Sequence, residues 1–251
     1  MRLVLFSRVP RWYSFRQDRL IRRLTVDGHD VVGIVAEQTS SLASIREWIW
    51  KLGPHLFLKK AMTKSLRRIR VNGGTGNGKS SSAMTHSEMV NPKVYRVVSH
   101  NSPETVEIVR SLRPDVVILR GCGIIRKPIL DIPKLGTINP HYALLPAYRG
   151  MDVTEWSALH GDPVSVSVHM VNEGVDTGSV LVSRPVDVEL GDTVGKLRDK
   201  SAALAVELIA EALNVVGDAV HSSKEAGEGR QYYVMHPRLR LLANARLKRF
   251  S

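Results

Sequence analysis

The sequence predicts an α/β protein with a mostly parallel, Rossmann-like sheet flanked by helices and followed by a short C-terminal appendage. Short apolar runs, which are typical of buried strands, alternate along the chain with longer stretches of helical periodicity. Turn residues separate these stretches, as at Gly28 and His29. Because strands that alternate with helices pair in parallel, this order predicts a parallel sheet.

The individual elements follow from local composition. Strands are predicted where apolar and β-branched residues cluster, at residues 2–6, 30–35, 92–98, 115–119, 135–138 and 164–171. Helices are predicted where apolar residues recur every three or four positions, at residues 12–26, 103–112 and 193–213. Ser102 is a suitable cap for the second helix and Pro103 a suitable first residue. Ligands are expected at the carboxyl ends of the parallel strands.

Length and composition limit the class of protein. A chain of 251 residues with 43% hydrophobic residues can bury one full core and carry an appendage. The single cysteine, Cys122, excludes an intramolecular disulfide, fits a reducing compartment, and is expected to be a small buried residue rather than a nucleophile. The opening run MRLVLF is too short for a signal peptide, and no stretch approaches the roughly 18 apolar residues of a membrane span. A cytosolic protein is expected.

The formal net charge of +12 is unevenly distributed along the sequence. Basic residues concentrate at residues 8–23, 59–70 and 238–249, whereas residues 128–218 are closer to balanced. An anionic small molecule, an acidic polymer or an acidic lipid surface would each suit these basic regions. A solvated basic face without any partner is the alternative.

Residues 44–92 are predicted to be a helical insertion followed by a flexible linker. Residues 44–70 combine tryptophans with basic side chains, and we favour a packing or homodimer contact there over a peripheral membrane contact. Residues 73–80 read GGTGNGKS and satisfy the P-loop pattern for nucleotide binding. Their flanks do not supply the required strand and helix, so the composition favours a linker.

The residues with the strongest chemical pattern lie in GTINPHYALLPAYRG, at residues 136–150, and in GVDTG, at residues 174–178. Asn139 and His141 are two positions apart, so at the end of a strand their side chains leave on the same side. Asp176 lies in a glycine-flanked turn, where a carboxylate can be directed at a histidine. The amide can donate to an oxyanion, the imidazole can carry a proton, and the carboxylate raises the pKa of that imidazole. Together these groups indicate nucleophilic acyl transfer.

This combination resembles the formyltransferase family, whose pattern N-x-H-x-S-L-L-P-x-Y/W-R-G is followed by a D-x-G turn. The matching residues here are Asn139, His141, Leu144, Leu145, Pro146, Tyr148, Arg149, Gly150, Asp176 and Gly178. Ala143 stands where serine is common, outside the catalytic trio. The resemblance extends over residues 93–213 and more loosely over residues 1–36. It implies a formyltransferase fold with a catalytic domain over residues 1–213 and a basic C-terminal extension over residues 214–251.

The resemblance implies formyl transfer from 10-formyltetrahydrofolate to a primary amine, with Asn139, His141 and Asp176 as catalytic residues and no metal. The folate is expected to contact the segment after the strand at residues 115–119 and the loop ahead of Asp176. The residues assigned to it by resemblance are Gly121, Gly123, Ile124, Ile125, Asn172, Glu173, Gly174 and Val175.

The acceptor is expected to be an anionic amine, in particular a nucleotide-linked amino sugar, because sugar N-formyltransferases are most similar in size and layout. Methionyl-tRNA formyltransferases continue into a β-barrel for which residues 214–251 are too few, which disfavours a nucleic-acid partner. Glycinamide ribonucleotide formyltransferases open with a Gly-rich phosphate loop, where residues 7–12 here contain no glycine. The alternatives are these two acceptors, a formyl-folate hydrolase that uses water, and a non-catalytic protein that binds folate, a membrane or nucleic acid.

Overall fold

The computed structural model describes residues 1–9, 15–38, 92–219 and 227–247. These residues belong to one compact unit, which comprises Met1–Thr39 and Pro92–Ser251. The predictions for the aromatic basic segment, the P-loop-like stretch and the linker fall on residues 40–91 and lie outside the described residues. The same holds for the predicted helix start at residue 12.

The strands form one large and one small sheet. In chain order they are β1 (Arg2–Val9), β2 (Asp30–Gln38), β3 (Val94–Val97), β4 (Val116–Arg120), β5 (Thr137–His141), β6 (Tyr148–Gly150), β7 (Ser165–Met170), β8 (Val180–Pro185) and β9 (Arg230–Tyr232). The large sheet has the order β3-β2-β1-β4-β5-β7-β8, and β6 pairs with β9. β1 to β5 pair in parallel, whereas β7 and β8 run antiparallel. The predicted mostly parallel, Rossmann-like sheet is therefore confirmed.

The helices flank this sheet. They are α1 (Phe15–Val26), α2 (Pro103–Leu112), α3 (Lys127–Leu130), α4 (Val153–His160), α5 (Val194–Ala219) and α6 (Pro237–Leu247). α2 begins and ends where the sequence predicts, and the Ser102 hydroxyl accepts the Thr105 amide at 3.3 Å. α5 continues six residues beyond the predicted end at Leu213, because Val216 in the added turns is also buried in the core.

Both faces of the sheet are buried, each by its own core. Along β1, Leu3 and Leu5 face the core beneath α1 and α5, whereas Val4 and Phe6 face the core beneath α2 and α3. Because successive side chains of a strand point to opposite faces, a doubly covered strand reads as a continuous apolar run. Because both faces of the sheet are buried, functional side chains can reach a ligand only at the ends of the strands.

Two segments after residue 213 pack on the rest of the unit. β9 pairs with β6, and Ala243 and Leu247 of α6 belong to the larger core. The division into a domain over residues 1–213 and an extension over residues 214–251 stays a prediction.

Candidate active site

β5 carries Asn139 and His141 to the carboxyl edge of the sheet, next to the loop that follows β4. In the antiparallel pairing of β5 with β7, Asn139 lies opposite His169 and His141 lies opposite Ser167. The Asn139 side-chain nitrogen is 3.3 Å from His169 Nε2. β7 therefore brings a second histidine to the two residues predicted from the sequence.

Asp176 lies between the two histidines. Its Oδ2 is 3.5 Å from His141 Nδ1, and its Oδ1 is 3.4 Å from His169 Nε2. The Gly150 amide donates to Oδ2 at 2.8 Å. The backbone of Asp176 is left-handed, with φ of 52°, a conformation that aspartate tolerates in turns. The structure thus brings Asn139, His141 and Asp176 together and adds His169, which the sequence analysis did not select.

Backbone carbonyls fix the orientation of both rings. His141 Nε2 is 2.7 Å from the Tyr148 carbonyl oxygen, and His169 Nδ1 is 2.7 Å from the Met170 carbonyl oxygen. Because a carbonyl only accepts, these two nitrogens carry protons. In neutral rings the remaining nitrogens, His141 Nδ1 and His169 Nε2, are unprotonated and face Asp176. A second proton on either ring would therefore be held against the carboxylate.

The buried surroundings set the charges in the site. Burial lowers the pKa of His141, and this effect outweighs the opposing charge of Asp176. Burial acts to raise the pKa of Asp176, but the two adjacent imidazoles and the Gly150 amide outweigh it and lower the pKa. At neutral pH the site consequently holds an ionised Asp176 beside a neutral His141. Asp176 acts to raise the pKa of His141, as the sequence predicts, but desolvation is the larger effect and the net shift is downward.

The loop after β4 contains the first group of residues assigned to folate. Gly121 has φ of 68°, a conformation that favours glycine, and Gly123 lies against the end of the Arg8 side chain. Ile124 is 72% exposed, whereas Ile125 packs in the core and can offer a ligand only its backbone.

Asn101 holds this loop in place, a role that no motif in the sequence indicated. Its side-chain nitrogen donates to the Ile124 carbonyl at 2.8 Å, and its Oδ1 accepts the Arg126 amide at 2.8 Å. Asn101 immediately precedes the cap of α2, so the helix start and the loop are joined. The loop conformation is thereby fixed before any ligand arrives.

The second group lies in the loop ahead of Asp176. Asn172 Oδ1 accepts the Gly174 amide at 3.1 Å and the Thr177 hydroxyl at 2.7 Å, so this oxygen shapes the loop. Glu173 and Gly174 are exposed, and Val175 is 37% exposed. Ile124 and Val175 thus present exposed apolar side chains on the loops that follow β4 and β7.

Other features of the described residues supply neither a thiolate nucleophile nor a metal centre. Burial raises the pKa of the Cys122 thiol to about 12, so a thiolate nucleophile is absent at neutral pH. A cleft of about 870 Å³ opens at the amino ends of the strands, at the opposite edge from Asp176, and is lined in part by Arg2, Arg113 and Lys134. Within the described ranges, no group of three or more His, Cys, Asp or Glu residues is placed to hold a metal ion. No helix among these residues is long and apolar enough to cross a bilayer.

Comparison with known sequences identifies relatives of this site. The profile of the Formyl transferase family matches residues 71–213, more than half of the chain, and this range includes Asn139, His141, His169 and Asp176. A methionyl-tRNA formyltransferase from Ruminiclostridium cellulolyticum is 39% identical over 123 residues, which cover 48% of this chain and 39% of the relative. One from Clostridioides difficile is 36% identical over 128 residues, which cover 50% of this chain and 41% of the relative. The match thus spans less than half the length of these relatives.

Solved structures share the fold at low sequence identity. Glycinamide ribonucleotide transformylase 1 from Symbiobacterium toebii superposes with a TM-score of 0.59 and 18% identity, over 90% of this chain and 93% of its own. A sugar N-formyltransferase from a Shewanella species superposes with a TM-score of 0.56 and 14% identity, over 98% of this chain and 87% of its own. Both likenesses concern the architecture of the chain.

Proposed function

Because the chain belongs to the formyl transferase family, we propose that it transfers a formyl group from 10-formyltetrahydrofolate to a primary amine. The observation that carries the proposal is the ionised Asp176 held between His141 and His169, with Asn139 hydrogen-bonded to the second ring. The bound donor would supply a formyl carbon attached to a nitrogen leaving group. The loop after β4 and the loop ahead of Asp176 would hold its pterin.

Asp176 is the group in this proposal that handles the proton of the attacking amine. As the new C–N bond forms, the amine nitrogen loses a proton, and an ionised carboxylate in a buried site can accept it or pass it on. His141 Nδ1 and His169 Nε2 face the same carboxylate and are unprotonated in the neutral rings, so either can share this proton. The proton then returns to the departing nitrogen as the old C–N bond breaks.

Asn139 is the proposed donor to the formyl oxygen. In the neutral site its amide nitrogen hydrogen-bonds to His169 Nε2. If that nitrogen gains a proton, it turns to Asp176 and the Asn139 amide becomes available to a developing oxyanion. His141 Nε2 is engaged by the Tyr148 carbonyl, so direct contact of His141 with the same oxygen requires that this hydrogen bond be exchanged.

We retain a nucleotide-linked amino sugar as the proposed acceptor. The net charge of +12 suits an anionic amine substrate. Aminoacyl-tRNA is the second candidate, favoured by the methionyl-tRNA formyltransferases to which this chain is similar. A cytosolic location belongs to the same proposal, and homodimer or membrane contacts through residues 44–70 remain predictions.

A panel of acceptors tests the function. The full chain is incubated with 10-formyltetrahydrofolate and nucleotide-linked amino sugars, glycinamide ribonucleotide or methionyl-tRNA, and released tetrahydrofolate and product mass are followed. We expect one formyl group on one acceptor, with turnover lowered roughly 10²- to 10⁴-fold in His141→Ala. His29→Ala, at the opposite edge of the sheet before β2, is the control and should retain the wild-type rate.

Other results of this assay would contradict formyl transfer or the role of His141. Formate release without a modified acceptor would replace transfer by hydrolysis, and equal rates in the His141→Ala variant and wild type would remove His141 from the mechanism. Folate binding without turnover on any acceptor or in water would favour the non-catalytic alternative.

A further inference from the structure

We propose that the segment at residues 229–232, together with Arg240, holds the Gly150 amide on Asp176 and thereby positions the catalytic carboxylate. Gly229 and Arg240 would then be positioning residues, more than 50 positions along the chain from Asp176. The proposal rests on the proposed function, since Asp176 matters for turnover only if it is catalytic. It gives the C-terminal segment a task that neither the motif nor the family match assigns.

β9 packs closely against β6. Gly150 has φ of 98°, and a Cβ there would overlap the Tyr232 carbonyl oxygen. That carbonyl accepts the Met151 amide at 3.0 Å. The two backbones therefore fix each other at the residue whose amide binds Asp176.

Gly229 packs against the chain that precedes β6. A Cβ on Gly229 would overlap the Pro146 carbonyl oxygen, so the chain can approach Pro146 this closely only with glycine at this position. The Arg149 guanidinium donates to the Gly229 carbonyl from the middle of β6. Residues 229–232 thus contact the chain both before and after β6, Tyr148–Gly150.

Ion pairs hold the following turn. Asp152 has φ of 52°, and its Oδ2 accepts the Met235 amide at 3.0 Å and the Arg240 guanidinium at 2.7 Å. Its Oδ1 accepts from Arg198 of α5 at 2.8 Å. Both arginines also contact Glu155, which is 1% exposed, so the carboxylates and guanidinium groups are paired. This network ties α6 to the residue two positions after Gly150.

Gly150 connects this packing to the site. The Gly150 amide donates to Asp176 Oδ2 at 2.8 Å, on the oxygen nearer to His141. The titratable groups that face Asp176 are His141 from β5 and His169 from β7. A displacement of Gly150 would remove one donor from the carboxylate. Because the Tyr148 carbonyl of the same strand holds His141 Nε2, the displacement would also loosen the His141 ring.

Gly229 and the nearby Gly227 provide a matched test. In Gly229→Ala the new methyl group expels residues 229–232 from the loop, whereas in Gly227→Ala nothing lies within 4 Å of it. The titration of the Asp176 carboxylate is followed by ¹³C NMR in the full chain, which requires no turnover. We expect the midpoint to rise by about one pH unit, a roughly tenfold fall in the acid dissociation constant, in Gly229→Ala. Gly227→Ala should titrate as wild type.

Three further variants test the proposal if the Gly229→Ala chain does not fold. Arg240→Ala should raise the same midpoint, Arg240→Lys should restore part of the shift, and Arg238→Ala on the same helix should leave it unchanged. An unchanged midpoint in a folded Gly229→Ala or Arg240→Ala chain, with Tyr232 resonances displaced, would overturn the proposal. Because wild-type Asp176 titrates whether or not the chain turns over formyl-folate, this failure is distinct from failure of the proposed function.

Discussion

At the scale of single residues, the chemistry depends on which groups share Asp176. One carboxylate contacts two imidazoles, and each imidazole donates its other N–H to a backbone carbonyl. This arrangement leaves protons mobile only on the nitrogens that face Asp176. A residue that binds Asp176 therefore controls both the charge of the carboxylate and the position of the proton.

His169 can be tested separately from the predicted trio. In His169→Gln the side chain cannot take up a proton, so Asp176 loses a partner that lowers its pKa. A group whose pKa rises stays protonated to higher pH, so the acid limb of the kcat/KM profile should move to higher pH. We also expect kcat to fall by roughly 10²-fold. A pH profile and rate identical to wild type would assign His169 to packing alone.

The sequence could identify Asn139, His141 and Asp176 because they fall within one short motif and its following turn. It could not identify His169, because a histidine inside the apolar run VSVSVHMV also reads as a satisfied core residue. Only the register of β5 with β7, which places it opposite Asn139, reveals its contact with Asp176.

At the scale of elements, the strands and helices of the sheet followed from periodicity, and α2 was correct at both ends because its cap lies in the sequence. β6 and β9 were missed, since three residues are too few to produce a periodic signal and their pairing joins residues 82 positions apart. The sequence analysis also missed α3, α4 and β8. The edge strand β8 is only partly buried, so its apolar pattern is weak.

The loop after β4 provides the prediction at this scale. Asn101→Ala removes both side-chain hydrogen bonds that hold Ile124 and Arg126 in place. If this loop holds the pterin, ordering it then costs binding energy, and KM for 10-formyltetrahydrofolate should rise about tenfold with kcat nearly unchanged. Asn214→Ala, on the exposed face of α5, is the control. An unchanged KM would separate the loop from the donor site.

At the scale of the whole molecule, the fold explains why residues from four segments meet. The parallel strands place the loop after β4 and the end of β5 at one edge, the antiparallel β7 returns His169 to it, and β9 closes the turn that binds Asp176. The sequence could predict this edge as the ligand site from the strand order. It could not predict the role of residues 229–247, because the contacts of Gly229 and Arg240 depend on tertiary packing alone.

The proposed formyl transfer depends on an ionised Asp176 that accepts the proton of the attacking amine. The most direct measurement is the rate of formyl transfer by Asp176→Asn, which keeps the size of the side chain and removes its charge, alongside the affinity of the same variant for 10-formyltetrahydrofolate. We expect a loss of roughly 10²- to 10⁴-fold in kcat with folate affinity within about threefold of wild type. Transfer at the wild-type rate by a folded Asp176→Asn chain would contradict this dependence on Asp176.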